Sequence, residues 1–109
     1  MVFAKKKWGQ NFLVDNNLLE KIIKTIDIKK GDEILEIGPG HGALSEKIIQ
    51  KTKALKMVEI DPELIQVICQ NPLLSPFEIF NQDILKTNLK ELGLNSPKVI
   101  GNIPYNITS

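Results

Sequence analysis

The run Glu33-Ile34-Leu35-Glu36-Ile37 feeds directly into Gly38-Pro39-Gly40-His41-Gly42, and this junction limits what the chain can fold into more than any other stretch. A short apolar run bounded by turn residues reads as a strand. Beyond the turn, Ala43 to Lys51 sets Leu44, Ile48 and Ile49 on one face and reads as a helix. A strand, a glycine turn and a helix in that order begin a crossover unit of a parallel sheet. Glycines at such a turn let a ligand approach the backbone, and the helix N-terminus offers free N–H groups to an anion. A tight turn that binds nothing would use the same residues.

The alternation continues on both sides. Residues 1–14 read as irregular, with Asp15 as a helix cap. Leu18, Leu19, Ile22, Ile23 and Ile26 then fall at helical spacing, and the helix ends near Asp27. Ala54 to Ile60 is a second strand. Asp61 caps and Pro62 opens the next helix, which carries Leu64, Ile65, Val67 and Ile68 and stops at Asn71-Pro72. Cys69 lies in this pattern and reads as a small core hydrophobe. Phe77 to Phe80 is a third strand, closed by Asn81-Gln82-Asp83. Ile84 to Leu94 reads as a loop with a short helix, and Lys98 to Ile103 as a fourth strand. The expected class is α/β, with about four parallel strands and crossover helices. An open sheet of this kind has five or more strands as a rule. The fourth is therefore expected to be an unpaired edge, and the chain to be the front part of a larger domain.

Composition excludes little but is informative about contacts. Of 109 residues, 42% are hydrophobic and 25% charged, as in ordinary globular proteins. No run is long enough to span a membrane, and no secretory signal opens the chain. A single cysteine excludes an internal disulfide and fits a reducing compartment. All 14 basic side chains are Lys, so no bidentate guanidinium contact is available. Lys5-Lys6-Lys7-Trp8 reads either as a basic arm for a phosphate backbone or as a solvated terminus.

The chemistry-bearing residues fall at strand ends. Glu59 ends the second strand, about 20 residues beyond Gly38, where a carboxylate accepts hydrogen bonds from the ribose hydroxyls of a nucleoside cofactor. Asp83 ends the third strand and reads either as an acceptor for an adenine amine or as a turn former. After the fourth strand comes Asn102-Ile103-Pro104-Tyr105. An amide oxygen there accepts from an exocyclic amine, and Tyr105 offers a face on which a flat ring stacks. Ligands bind at the carboxyl ends of parallel strands, so all four ends are expected to meet in one crevice.

Five motifs together carry a family resemblance: Gly9-Gln10-Asn11-Phe12-Leu13, Glu36-Ile37-Gly38-Pro39-Gly40-His41-Gly42, Glu59-Ile60-Asp61, Gln82-Asp83-Ile84-Leu85 and Asn102-Ile103-Pro104-Tyr105-Asn106. In order and spacing the chain resembles the ribosomal RNA adenine N6-dimethyltransferases, most nearly the KsgA group that acts on small-subunit rRNA. The resemblance implies the N-terminal portion of a Rossmann-like, class I SAM-dependent methyltransferase fold, without the later strands and the C-terminal helical domain. Residues 1–14 would form a basic arm and a loop leading to the cofactor, and residues 15–109 the first part of the SAM-binding domain.

The resemblance further implies S-adenosyl-L-methionine (SAM) as cofactor and no metal. Asn11, Leu13, Gly38, Gly40, Glu59, Asp83 and Asn102 match its binding positions. Asn102, Pro104 and Tyr105 match the catalytic motif: Asn102 and the Pro104 carbonyl hold the N6 amine of adenosine toward the methyl group, and Tyr105 stacks on the base. His41 is given no role. The expected partner is small-subunit rRNA or its precursor particle, met by a monomer in the cytoplasm. The fragment alone is expected to be inactive.

Three rival readings differ in their requirements. A large-subunit rRNA methyltransferase of the macrolide-resistance type shares Asn102-Ile103-Pro104-Tyr105, whereas Gly38-Pro39-Gly40 and Asn106 favour the small-subunit branch. A nicotinamide-dependent oxidoreductase needs a third glycine where Ala43 stands. A non-catalytic RNA-binding fragment leaves the intact Asn102 and Tyr105 without a purpose.

Overall fold

The apolar runs become the strands of one parallel sheet. The computed structural model describes residues 2–3, as backbone, and residues 16–101. Chain order is β1 (Val2–Phe3), α1 (Asn16–Ile26), β2 (Ile34–Ile37), α2 (Ala43–Ile48), β3 (Leu55–Glu59), α3 (Pro62–Gln70), β4 (Glu78–Asn81) and β5 (Lys98–Gly101). The sheet order is β1-β5-β2-β3-β4, and every pairing is parallel. The four expected strands are all present, with ends shifted by a residue or so.

One expectation about the sheet is overturned. The strand Lys98–Gly101 is not an unpaired edge, because β1 lies along its outer side, with Val2 opposite Ile100 and Phe3 opposite Gly101. A two-residue strand has no periodicity to announce it, and its partner lies at the other end of the chain. The continuation of the fourth strand to Ile103 and the Asp15 cap lie outside the described residues.

The two sheet faces are covered differently. On one, Ile34, Leu55, Met57 and Ile100 pack with Leu19, Ile22 and Ile23 of α1, Leu44 and Ile48 of α2 and Ile68 of α3. On the other, Leu35, Ile37 and Val58 pack with Leu92 and Leu94. Those two leucines come from the stretch read as ambiguous, which forms two 3-10 turns, Ile84–Lys86 and Leu89–Leu92. Burial on both faces explains why the strands read as continuous apolar runs.

Two helix features depart from or match the periodicity. The helix after the glycine turn ends at Ile48 rather than Lys51, and Thr52 Oγ1 then donates to the Asp32 carbonyl at 2.8 Å. Asp61 does cap α3, accepting from Glu63 N at 2.9 Å, with Pro62 in the first turn. Cys69 is a correction: it is exposed, not core. Ile68 is the residue of α3 that turns inward. At 3.6 residues per turn the next side chain points about 100° away.

Lys98 fastens α1 to the sheet. Its Nζ donates to the carbonyls of Ile26 and Asp27 at 3.2 and 3.0 Å, at the end of the helix, and lies 3.0 Å from Asp32 Oδ2. The backbone N–H of Lys29 and then the Lys98 ammonium hold the Asp32 carboxyl below its ordinary range. Among the described residues, no helix is long and apolar enough to cross a membrane.

Candidate functional site

Register places the strand ends in one row. Gly101, Ile37, Val58 and Phe80 are successive partners across β5, β2, β3 and β4. Gly38 follows Ile37, and Glu59, which follows Val58, is paired with Asn81. The sequence-predicted positions Gly38, Glu59 and Asp83 therefore leave the sheet at the same edge, on β2, β3 and just beyond β4.

The glycine turn is shaped by backbone geometry and by crowding. Gly38, Gly40 and Gly42 have φ of 69°, 61° and 90°. Gly38 N donates to the Val58 carbonyl at 2.8 Å, which extends the β2–β3 ladder into the turn. Gly42 stands at the start of α2. A Cβ there would overlap Leu74 Cδ1 and lie 3.0 Å from Ile68 Cδ1. The left-handed conformation and the close packing both require glycine at this position.

Beneath the turn lies a carboxyl that the motif reading leaves unassigned. Glu36 is fully buried in the middle of the sheet, and its Oε1 accepts a hydrogen bond from Ser45 Oγ of α2. Its Oε2 has no hydrogen-bond partner among the described residues. Burial pushes its pKa up to about 7; the Ser45 hydroxyl opposes the rise and the Glu59 charge adds to it. The detectable signal was a carboxylate within a strand buried on both faces.

Glu59 is only 2% exposed, and its Oε2 accepts from Asp61 N at 3.0 Å. The Asn81 side-chain amide donates to the Glu59 carbonyl at 3.0 Å and to the Ile60 carbonyl at 3.1 Å. Asn81 therefore ties the end of β4 to the end of β3, a role not read from its place in a turn. Asp83 Oδ1 accepts from Leu85 N at 2.9 Å and caps the first 3-10 turn, so it does serve as a turn former. It is half-buried and sits directly behind the strand edge. Two large apolar side chains near these ends face outward: Ile60 at 63% and Leu85 at 75% exposure. His41 is exposed on the turn.

Asn11, Leu13, Asn102, Pro104 and Tyr105 lie outside the described residues, as do Lys5-Lys6-Lys7 and Trp8. Among the described residues, no group of three or more His, Cys, Asp or Glu side chains is placed to hold a metal ion.

The comparison with known proteins agrees with the motif spacing over the whole length. The profile of the family described as Ribosomal RNA adenine dimethylase matches residues 1–109. The chain belongs to the ribosomal RNA adenine dimethylase family. Members of this methyltransferase family use SAM, and the α/β sheet seen here is their Rossmann-like fold.

Curated relatives of the family include "Ribosomal RNA small subunit methyltransferase A" of Malacoplasma penetrans, 42% identical over 108 residues, which are 98% of this chain and 39% of the relative. The protein of the same name from Chlorobaculum parvum is 45% identical over 109 residues, 99% of this chain and 39% of that one. Two solved structures share the fold. A dimethyladenosine transferase from Plasmodium falciparum is 30% identical with a TM-score of 0.69, matching 84% of this chain and 33% of that one. The 23S rRNA methyltransferase ErmE is 26% identical with a TM-score of 0.70, matching 86% and 38%. The chain thus spans about two-fifths of the length of the curated relatives it matches.

Proposed function

We propose that this chain is the cofactor-binding portion of a SAM-dependent enzyme that dimethylates the N6 amine of adenosines in small-subunit rRNA. The observation that carries the reading is the row of strand ends, where Gly38, Glu59 and Asp83 leave the sheet at one edge next to Gly101. The residues suit the cofactor in charge and shape. Glu59 supplies a carboxylate for a ribose diol, and Asp83 an acceptor for an adenine amine. Exposed Ile60 and Leu85 offer apolar surface to a flat ring. Gly38 and Gly40 keep the turn open to the methionine part. Asn11 and Leu13 contribute from the loop that leads to the site, which with the basic arm occupies residues 1–14.

When bound, the cofactor supplies an electrophilic methyl group on a cationic sulfonium, so no metal is required. This chain's residues supply position. The Asn102 side-chain oxygen and the Pro104 carbonyl accept hydrogen bonds from the N6 amine and hold its lone pair toward the methyl group. Tyr105 stacks on the base, which must leave any helix to reach the pocket. Catalysis of this kind is mainly orientation for in-line displacement.

The substrate reading is supported by relatives named for the small subunit, 42% and 45% identical to this chain. The protein is read as a cytoplasmic monomer that meets rRNA within the precursor particle. In the full-length protein, Asn102→Ala should abolish methyl transfer to small-subunit rRNA while SAM affinity, measured by calorimetry, stays within a few fold. Near-normal transfer by Asn102→Ala would exclude the role, and transfer to large-subunit rRNA alone would move the protein to the other branch.

A further inference from the structure

The glycine turn is backed by Asn71, which the sequence presents as a helix stop and no more. Asn71 ends α3. Its N–H donates to the Ile68 carbonyl at 3.0 Å, and its own carbonyl accepts from Leu74 N at 3.0 Å and Ser75 N at 2.8 Å. Its side chain works in two directions: Oδ1 accepts from Leu73 N at 2.9 Å, and Nδ2 donates to Glu46 Oε2 at 2.8 Å. The two partners fix which end of the amide is which, since a peptide N–H only donates and a carboxylate only accepts. Glu46 stands in the first turn of α2, and its N–H donates to the Gly42 carbonyl at 2.9 Å. Asn71 is thus joined to the end of the glycine turn through one residue.

Packing makes the same connection. Ile68 and Leu74, both buried, come from the chain on either side of Asn71 and close over the missing Cβ of Gly42. The amide nitrogen of Asn71 lies 3.9 Å from the same point. At its other end the turn is held by Gly38 N on the Val58 carbonyl. Between these anchors the backbone is left-handed at Gly38, Gly40 and Gly42, a conformation that glycine adopts readily and leaves readily. A segment of that kind binds a ligand well only when its shape is held before the ligand arrives.

We propose that Asn71 is a positioning residue for the cofactor: its amide, clasping Glu46, holds the Gly38–Gly42 turn in the shape that receives SAM, so that this hydrogen bond sets cofactor affinity. The inference rests on the reading of this turn as the SAM site, and it adds to that reading a residue from the far end of α3. Asn71 touches neither the cofactor nor a reacting atom in this scheme. Loosening the turn weakens the ground state and the transition state alike, so the clasp acts on SAM binding and leaves the transfer step unchanged once SAM is seated. A residue that only ended the helix would need the Oδ1 contact to Leu73 alone, which an aspartate supplies equally well. The contact to Glu46 needs an N–H donor. The two roles therefore separate on one atom of one side chain.

The test is calorimetric titration with SAM and steady-state methyl transfer to unmethylated small-subunit rRNA, both with the full-length protein. Asn71→Ala should raise the Kd and the KM for SAM about fivefold, with kcat and the KM for rRNA within about twofold of wild type. Asn71→Asp keeps the Leu73 contact and sets two carboxylates against each other, so it should weaken SAM binding about tenfold or more. Glu46→Gln restores a donor opposite that aspartate. Added to Asn71→Asp, it should return the Kd to within about twofold of wild type. Unchanged SAM affinity in Asn71→Asp overturns the proposal, and so does a failure of Glu46→Gln to rescue it. If Asn71→Asp does not fold, the cycle of Asn71→Ala and Glu46→Ala decides: a shared effect on SAM affinity supports the clasp, and additive effects overturn it. Variants that bind SAM as the wild type does remove this inference alone, whereas a wild type that does not bind SAM removes the cofactor reading as well.

Discussion

The side-chain amide of Asn81 spans from β4 to the main chain of Glu59, donating to its carbonyl at 3.0 Å and to that of Ile60 at 3.1 Å. One side chain thus fixes the backbone from which both Glu59, the proposed ribose acceptor, and the exposed Ile60 project. Asn81→Ala should lower SAM affinity of the full-length protein about fivefold to tenfold, equivalent to about one hydrogen bond's net worth. Titration of the variant against wild type checks this, with circular dichroism to confirm the fold. Unchanged affinity would show that the strand ends hold their spacing without the amide.

Gly42 is kept as glycine by both its backbone and its surroundings. Alanine there would adopt φ near 90° and place its Cβ against Leu74 and Ile68. The left-handed backbone and the overpacking together should cost about 2–4 kcal/mol. Urea unfolding of Gly42→Ala measures this, and a loss below about 0.5 kcal/mol would mean that Leu74 moves aside freely. Gly31 has φ of 91° with open space around its missing Cβ, so its alanine variant should pay only the backbone cost and serves as the control.

Glu36 makes stability fall as pH rises. Its folded pKa, about 7, stands above the ordinary value of 4.5, so the native state binds the extra proton between these limits. The stabilisation is complete below pH 4.5 and is lost as pH rises through 7, for an order-of-magnitude total of about 3 kcal/mol. Glu36→Gln removes that slope. Thermal melts from pH 5 to pH 8 should show the wild type losing ground to the variant, and parallel curves would mean that Glu36 does not titrate in this window.

Lys98 closes the carbonyl end of α1. Lys98→Met should lower Tm by about 4 °C near neutrality, since a cation at a helix C-terminus and the hydrogen bonds it makes are lost together. Asp32 is held below its ordinary range in part by Lys98, so that part of the difference is present above the ordinary carboxylate pKa and disappears as pH falls through the lowered one. Melts at pH 7 and in acid isolate the Asp32 part, since the carbonyl hydrogen bonds and the packing of the lysine stem both persist in acid.

The strands and the strand-end acids were legible because each depends on local pattern. Ile34-Leu35-Glu36-Ile37 ahead of three glycines, and Asp61-Pro62 ahead of a helix, carry their own instructions. The failures are of another kind. Whether Cys69 points inward depends on how α3 is rotated against the sheet, and Ile68 takes the inward place. Glu36 looks like the polar member of an alternating strand, and only the covering of both faces makes it a buried carboxyl. Asn81 reads as a turn residue until β3 is placed beside it. The motif at Asn102 was legible as a motif alone, since it lies beyond the described residues.

The pairing of Val2 with Ile100 and Phe3 with Gly101 has a kinetic consequence. It joins residues from opposite ends of the sequence, so it carries the largest loop-closure entropy of any strand pair in the sheet. The β2–β3 and β3–β4 pairs, each closed by one crossover, can assemble first, with β1 added after β5 is in place. The strand that leads into Asn102 would then receive its outer neighbour last of all. A bulky tag fused at Met1 would bear on that late step, and so on the completion of the sheet beside Lys98–Gly101.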